Sequence, residues 1–206
     1  MSLKHHHLKL VLLFVLFILL IKQSYGKEEK NFESVIQKAI GFKYQNTDSL
    51  TCYAEKAYLI AYTENNPDLQ LDALIVLIEA KIRLGELLHA LKLCDSIKEI
   101  KNNNNLIHRE TDILLNIGNV YAAMGFAAEA LELFFEALTS KEADLTTKTK
   151  TDLYYYIAIV YFDVGEMEEC RRYLDLSLKL AISNNYIKNI VPAYTLKSGT
   201  YDHADS

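Results

Sequence analysis

Three kinds of side chain in this sequence could in principle do chemistry: the thiols Cys52, Cys94 and Cys170, the imidazoles His89 and His108, and the acidic pairs Glu129/Glu132 and Glu168/Glu169. A thiol nucleophile needs a base beside it, a metal needs several ligands at fixed spacing, and acid–base catalysis by carboxylates needs a tuned environment for one of them. None of these settings is written here. The sequence holds no C-x-x-C, no H-E-x-x-H, no Gly-x-Ser-x-Gly and no Gly-rich phosphate loop. The two histidines stand alone, and the acidic pairs fall on helical stretches whose outer faces are expected to be solvated. Each cysteine lies inside a helical pattern and is expected to be a small buried hydrophobe. The residues therefore imply no catalytic centre, no cofactor and no metal, and they turn attention to the elements that carry them.

Those elements repeat. Gly85, Gly125 and Gly165 are 40 residues apart. The same step links Leu74, Leu114, Tyr154 and Tyr194, then Tyr121, Tyr161 and Tyr201, then Ala90, Ala130 and Cys170. The clearest copy runs from Thr111 to Ser140, with Leu114, Ile117-Gly118, Tyr121, Gly125, Ala130, Phe134 and Ala137. This resembles the tetratricopeptide (TPR) pattern W-x2-L-G-x2-Y…A-x3-F…A, with Leu114 in the tryptophan place and a period of 40 against the usual value of about 34. The resemblance implies an all-α fold, a TPR-like α-solenoid of antiparallel helix pairs, about four repeats plus the first helix of a fifth. Small Gly118 is expected to admit the second helix near its Ala130, and Gly125 to make the turn between the pair.

The chain begins with a cationic stretch, MSLKHHHLK, followed by twelve apolar residues from Leu10 to Ile21 and small residues at Ser24 and Gly26. This reads as a signal peptide over 1–26, cut before Lys27, with 27–206 as the helical repeat domain; the alternative is an uncleaved anchor. The apolar run is short of the about 20 residues of a membrane span. The His5-His6-His7 triplet belongs to that basic leader. Cleavage removes Lys4, Lys9 and Lys22 and leaves 19 basic residues against 27 acidic, a net of −8. An acidic solenoid is a poor nucleic-acid binder, whose affinity rests on neutralising phosphates. The exported setting permits disulfides, but Cys94 and Cys170 sit two repeats apart, too far to bridge.

In chain order, helical spacing predicts a first helix over Phe32 to Tyr44 and a second over Leu50 to Tyr62, with capping residues between them. Asn65-Asn66-Pro67-Asp68 breaks to a unit spanning Leu69 to Ile100, in which Lys81 stands at the place of Tyr121 and Tyr161. Lys101 to Asn105 reads as a polar link, as do Lys141 to Lys150 and Asn184-Asn185, since asparagine tolerates left-handed backbone. Further units run over Thr111 to Ser140 and Thr151 to Leu180, and Val191 to Asp202 opens a fifth. Either that last helix caps the array or the array fronts a longer protein.

The TPR resemblance also implies where a partner sits, because in that family the first helices line a concave groove. Placed on the pattern, the groove carries Glu79, Ile82 and Arg83, then Asp112, Leu115, Asn116, Asn119 and Ala123, then Asp152, Tyr155, Tyr156, Ile159 and Phe162. Amides can pair with a peptide backbone, and tyrosines add contact area with few torsions to freeze. The expected ligand is a protein or peptide. The run Asp48 to Ile75, DSLTCYAEKAYLIAYTENNPDLQLDALI, behind a leader and with Asn-rich links, is similar to the exported repeat arrays of Bacteroidota sensor proteins. In those, the array precedes a membrane helix and a histidine kinase or LuxR-type domain. That resemblance implies a sensory front part of a signalling protein; a scaffold or adaptor subunit of an envelope assembly or exported enzyme is the alternative.

Overall fold

The computed structural model describes residues 31–140 and 145–202. The leader at 1–26, its cut before Lys27 and the His5–His7 triplet lie outside the described residues. Within them the chain is a succession of nine α-helices: α1 Phe32–Gly41, α2 Thr47–Thr63, α3 Pro67–Arg83, α4 Leu87–Asn104, α5 Glu110–Ala123, α6 Ala127–Thr139, α7 Thr147–Asp163, α8 Met167–Ser183 and α9 Ile187–Asp202. One 3-10 turn, Ile107–Arg109, leads into α5. No helix among the described residues is long and apolar enough to cross a membrane.

The starts are set by side chains that satisfy orphan backbone donors. Asn31 Oδ1 accepts from Glu33 N, Asn46 Oδ1 from Ser49 N, Asn66 Oδ1 from Leu69 N, and Thr146 Oγ1 from Thr149 N. Pro67, expected only as a breaker, opens α3, where its missing N–H costs nothing. The turns alternate in kind. Within units two to four the reversal is made by Gly85, Gly125 and Gly165 at φ of +72°, +83° and +85°, and between units by Asn65, Asn105 and Asn185 at +50°, +53° and +57°. Left-handed backbone at these places is why the two residue types recur in register. The Lys101–Asn105 stretch differs from its expected role as a link: α4 continues through it and stops at the left-handed Asn105.

Pairs α1/α2, α3/α4, α5/α6 and α7/α8 pack as antiparallel hairpins, and α9 packs on α8 and α7. This is the expected TPR-like solenoid of four units and one further first helix. Its core runs on from unit to unit. Leu71, Leu74, Ile78, Ala90, Cys94 and Ile97 of unit two share a cluster with Ile113, Ile117 and Val120 of unit three. Leu114, Ala130, Phe134 and Ala137 of unit three join Leu153, Ile157, Leu174 and Ala193. The atoms of the second helix nearest to Gly118 are those of the Phe134 ring.

Cys94 and Cys170 are fully buried, as their register predicts, whereas Cys52 lies exposed on α2 because its position falls on the outer face of that helix. Burial pushes the Cys94 thiol up to about 12 and raises that of Cys170, and the thiolate is the nucleophile. We expect a thiol reagent at neutral pH to modify Cys52 in the folded chain and the other two only after unfolding. Rapid modification of all three in native buffer, read by mass spectrometry, would contradict the packing of α4 and α8.

Candidate functional site

Alternate helices also touch: α1 meets α3, α3 meets α5, α5 meets α7 and α7 meets α9. The first helices therefore form one wall, with the second helices behind it. The 40-residue register turns that wall into rows of equivalent positions, one being Glu79, Asn119, Ile159 and Gly199 and another Tyr155 and Thr195. Tyr156 on α7 has its hydroxyl pKa raised, first by burial and then by the charges of Glu79 and Asp152 and by the hydroxyls of Tyr44 and Tyr155. Groups on α3 and on the α1–α2 turn thus reach α7 across the intervening α5.

Within this wall the expected residues do different work. Glu79 accepts a 2.7 Å bond from Arg83 Nε and lies 3.5 Å from Lys43 Nζ, and the Arg83 guanidinium sits 4.8 Å over the exposed Tyr44 ring. Tyr156 stacks on the buried Phe134 ring at 6.2 Å, so it anchors α7 to α6. Tyr155 packs edge-on against it at 5.8 Å, and burial raises its own hydroxyl pKa. Asn116 is buried, and its Nδ2 donates to the Asp112 carbonyl oxygen at 2.7 Å. Asn119 is half-buried, and its Oδ1 meets no donor among the described residues. Ile159 is half-buried beside it in register.

Asp152 belongs to a repeated polar staple with Asp72, and Asp112 adjoins it. Arg109 Nη2 donates to Asp72 Oδ1 at 2.5 Å, and 80 residues on, Asn189 Nδ2 donates to Asp152 Oδ1 at 2.5 Å, both across an offset of 37 residues. Arg109 also reaches Asp68 Oδ1 and Asp112 Oδ2, each at 3.2 Å. Asp152 Oδ2 takes Lys148 Nζ at 2.8 Å. Asp68, Asp72 and Asp152 thereby tie successive units together, while Asp112 pairs within its own unit.

Sequence reasoning stopped its groove at α7 and missed the next row. Adding one period to Asp152, Tyr155, Tyr156 and Ile159 gives Pro192, Thr195, Leu196 and Gly199. Together with Tyr155, Phe162 and Val191 they line an apolar cavity of about 490 Å³ between α7 and α9. Its floor is open because Gly199 carries no side chain: a Cβ there would meet only the Phe162 ring, at 3.7 Å.

A helical-hairpin array with left-handed turns in register and a wall of first helices defines a TPR-like α-solenoid. A solved structure of pilF of Pseudomonas aeruginosa, a TPR-containing protein, superposes with a TM-score of 0.52 over 85% of this chain and 78% of that chain, at 16% sequence identity. At that identity the likeness speaks for the fold. No family model matches the sequence, and no curated protein matches it.

Proposed function

We propose that this chain is an exported, non-catalytic module that holds a protein or peptide partner along its concave wall, acting alone or as the sensory front part of a signalling protein. The observation that carries the binding reading is the α7–α9 cavity, an apolar recess placed in the groove register beside Tyr155, which packs against Tyr156. Such recesses accept an anchoring side chain, while a few polar groups set orientation. The exposed Tyr44 supplies one. Export rests on the leader, with its basic start, the apolar run from Leu10 to Ile21 and the small residues Ser24 and Gly26.

The test takes protein from the envelope fraction, where mass spectrometry should find Lys27 at the N-terminus, and measures the partner it carries. Gly199→Leu should fill the recess and weaken that partner by about tenfold or more, since a buried anchor side chain commonly contributes above 1 kcal/mol. Folding should survive, because the added Cβ makes an ordinary contact and a helical glycine is destabilising by roughly 0.5–1 kcal/mol relative to alanine. Glu132→Ala with Glu168→Ala, on second helices, is the control. Normal binding by Gly199→Leu with loss in the control would move the contact surface to the other side. An intact Met1 species in the membrane would replace export by anchoring.

A further inference from the structure

The turns inside units two to four share one edge of the array, because their first helices run the same way and each ends just before its glycine. That edge is apolar. Leu84 and Leu88 beside Gly85 are 40% and 71% exposed, Phe126 beside Gly125 is 46% exposed, and Val164 beside Gly165 is 50% exposed. Met124 stands in register between Leu84 and Val164, Met167 follows Gly165, and both are half-buried. Thioether side chains adapt their shape to what they meet. A further unit stacked on the array would add one more turn to this row and leave the row itself uncovered.

In units three and four the same edge gathers acid without free base. Glu129, Asp163, Glu166 and Glu168 are exposed, and none has an ion pair or a side-chain hydrogen bond among the described residues. Lys148 and Lys150 at the start of α7 and Lys179 towards the end of α8 lie near the opposite edge, about 20 Å along their helices at about 1.5 Å per residue. Arg171 and Arg172 are nearer but engaged: Arg171 Nη1 donates to the Thr200 carbonyl oxygen at 3.1 Å, and Arg172 Nε to Glu169 at 2.8 Å. Local stability does not account for these residues. Asp163 ends α7, where the helix dipole disfavours an acid, and partial burial raises its carboxyl pKa. Phe126 and Glu166 hold the N-cap places of α6 and α8, which favour Ser, Thr, Asp or Asn, and neither side chain makes a capping bond. Side chains that break a local rule without local gain point to a function.

We propose that this turn edge docks a basic amphipathic helix of a partner protein, with its apolar face on Leu84, Leu88, Phe126 and Val164 and its cations over the carboxylates of units three and four. The argument is charge complementarity along an apolar row. Neighbouring first helices stand about 8–10 Å apart and a helix rises about 1.5 Å per residue, so the partner would meet one turn roughly every six or seven residues. Its cations belong at the end that lies over Val164. A second copy of this chain is a poor occupant, because beyond Gly26 its acids outnumber its bases. The site lies on the turns, apart from the rows of the groove, and does not rest on the groove reading.

A labelled peptide of leucine and lysine, about 18 residues long so as to span the row and with its leucines on one helical face, serves as the probe. It should bind the full chain saturably in fluorescence anisotropy, and a scrambled peptide of the same composition should not. Asp163→Lys with Glu166→Lys should weaken it by about tenfold or more while leaving circular dichroism unchanged, and so should Phe126→Gln with Val164→Gln. Glu55→Lys with Glu99→Lys makes the same change of net charge on α2 and α4 and should leave binding at the parent level. Gly199→Leu, which tests the groove, should also leave it alone. The proposal is overturned if the peptide does not bind saturably, if the scrambled peptide binds alike, or if the Asp163 and Glu166 reversal binds normally. It is equally overturned if the Glu55 and Glu99 reversal or Gly199→Leu loses the peptide, which would mean long-range attraction or binding in the groove. Sedimentation that shows the parent self-associating, with the association lost on reversal of Asp163 and Glu166, would put a second copy in the partner's place and overturn it too.

Discussion

Gly118→Leu should unfold the central unit and lower the melting temperature of the whole array. A Cβ at this position would run into Cε1 of Phe134 and lie 2.8 Å from its Cδ1. The ring has little freedom to yield, since Phe134 is fully buried and stacked on Tyr156. The α5/α6 hairpin must open. Overpacking costs about 1–3 kcal/mol, occasionally more, so even Gly118→Ala should lose stability although alanine is the better helix former by about 1 kcal/mol. Leucine should exceed that. Unit three shares Leu114 with the cluster after it and Ile113 and Ile117 with the cluster before it, so both of its interfaces weaken. Phe134→Leu should return part of the loss in the Gly118→Ala background, a coupling that a double-mutant cycle reads directly. Thermal melting of Gly118→Leu that matches the parent would show that the ring yields. The same glycine-to-alanine change at Gly199, with 3.7 Å of room, should act in the opposite direction.

Arg109→Ala should uncouple units two and three. The side chain is only 12% exposed and its three nitrogens serve Asp72, Asp68 and Asp112 at once. Hydrogen bonds to charged groups contribute about 1.5–3 kcal/mol, but the carboxylates are 41–44% exposed and recover water when the guanidinium leaves. A net loss of about 2 kcal/mol is therefore expected, and part of it should vanish in high salt. Arg109→Lys should rescue little, because an ammonium lacks the planar fork that reaches three acceptors. Denaturant unfolding should also become less cooperative, with the first two units separating from the rest. A loss under about 0.5 kcal/mol, the range of ordinary surface changes, would mean that the contact is merely decorative.

The register was plain in the sequence because each unit meets the same physical demands: a left-handed turn selects glycine or asparagine, and a close hairpin selects a small residue at Gly118 and Ala158. What escaped was set by neighbours that periodicity does not name. Asp112 and Asp152 were expected in the groove; Arg109 and Asn189, which hold units together through Asp72 and Asp152, lie before Thr111 and Val191, where the pattern assigned no role. Asn116 sits on the expected row but turns back on its own helix, as asparagine can when a carbonyl four residues earlier is within reach. Cys52 belongs to the least regular unit, where no register fixed its face. The recess at Gly199 was legible in principle, since it needs one more addition of 40 to positions already chosen.

The rows along the wall impose an arithmetic on anything laid across them. Packed helices stand about 8–10 Å apart, and an extended chain advances about 3.3 Å per residue. A strand crossing the first helices would thus meet the row of Glu79, Asn119, Ile159 and Gly199 once every three residues. It would meet carboxylate, amide, branched hydrocarbon and bare backbone in that order. The wall is a ruler with graded marks, and its polarity would give a peptide held there a direction as well as a spacing.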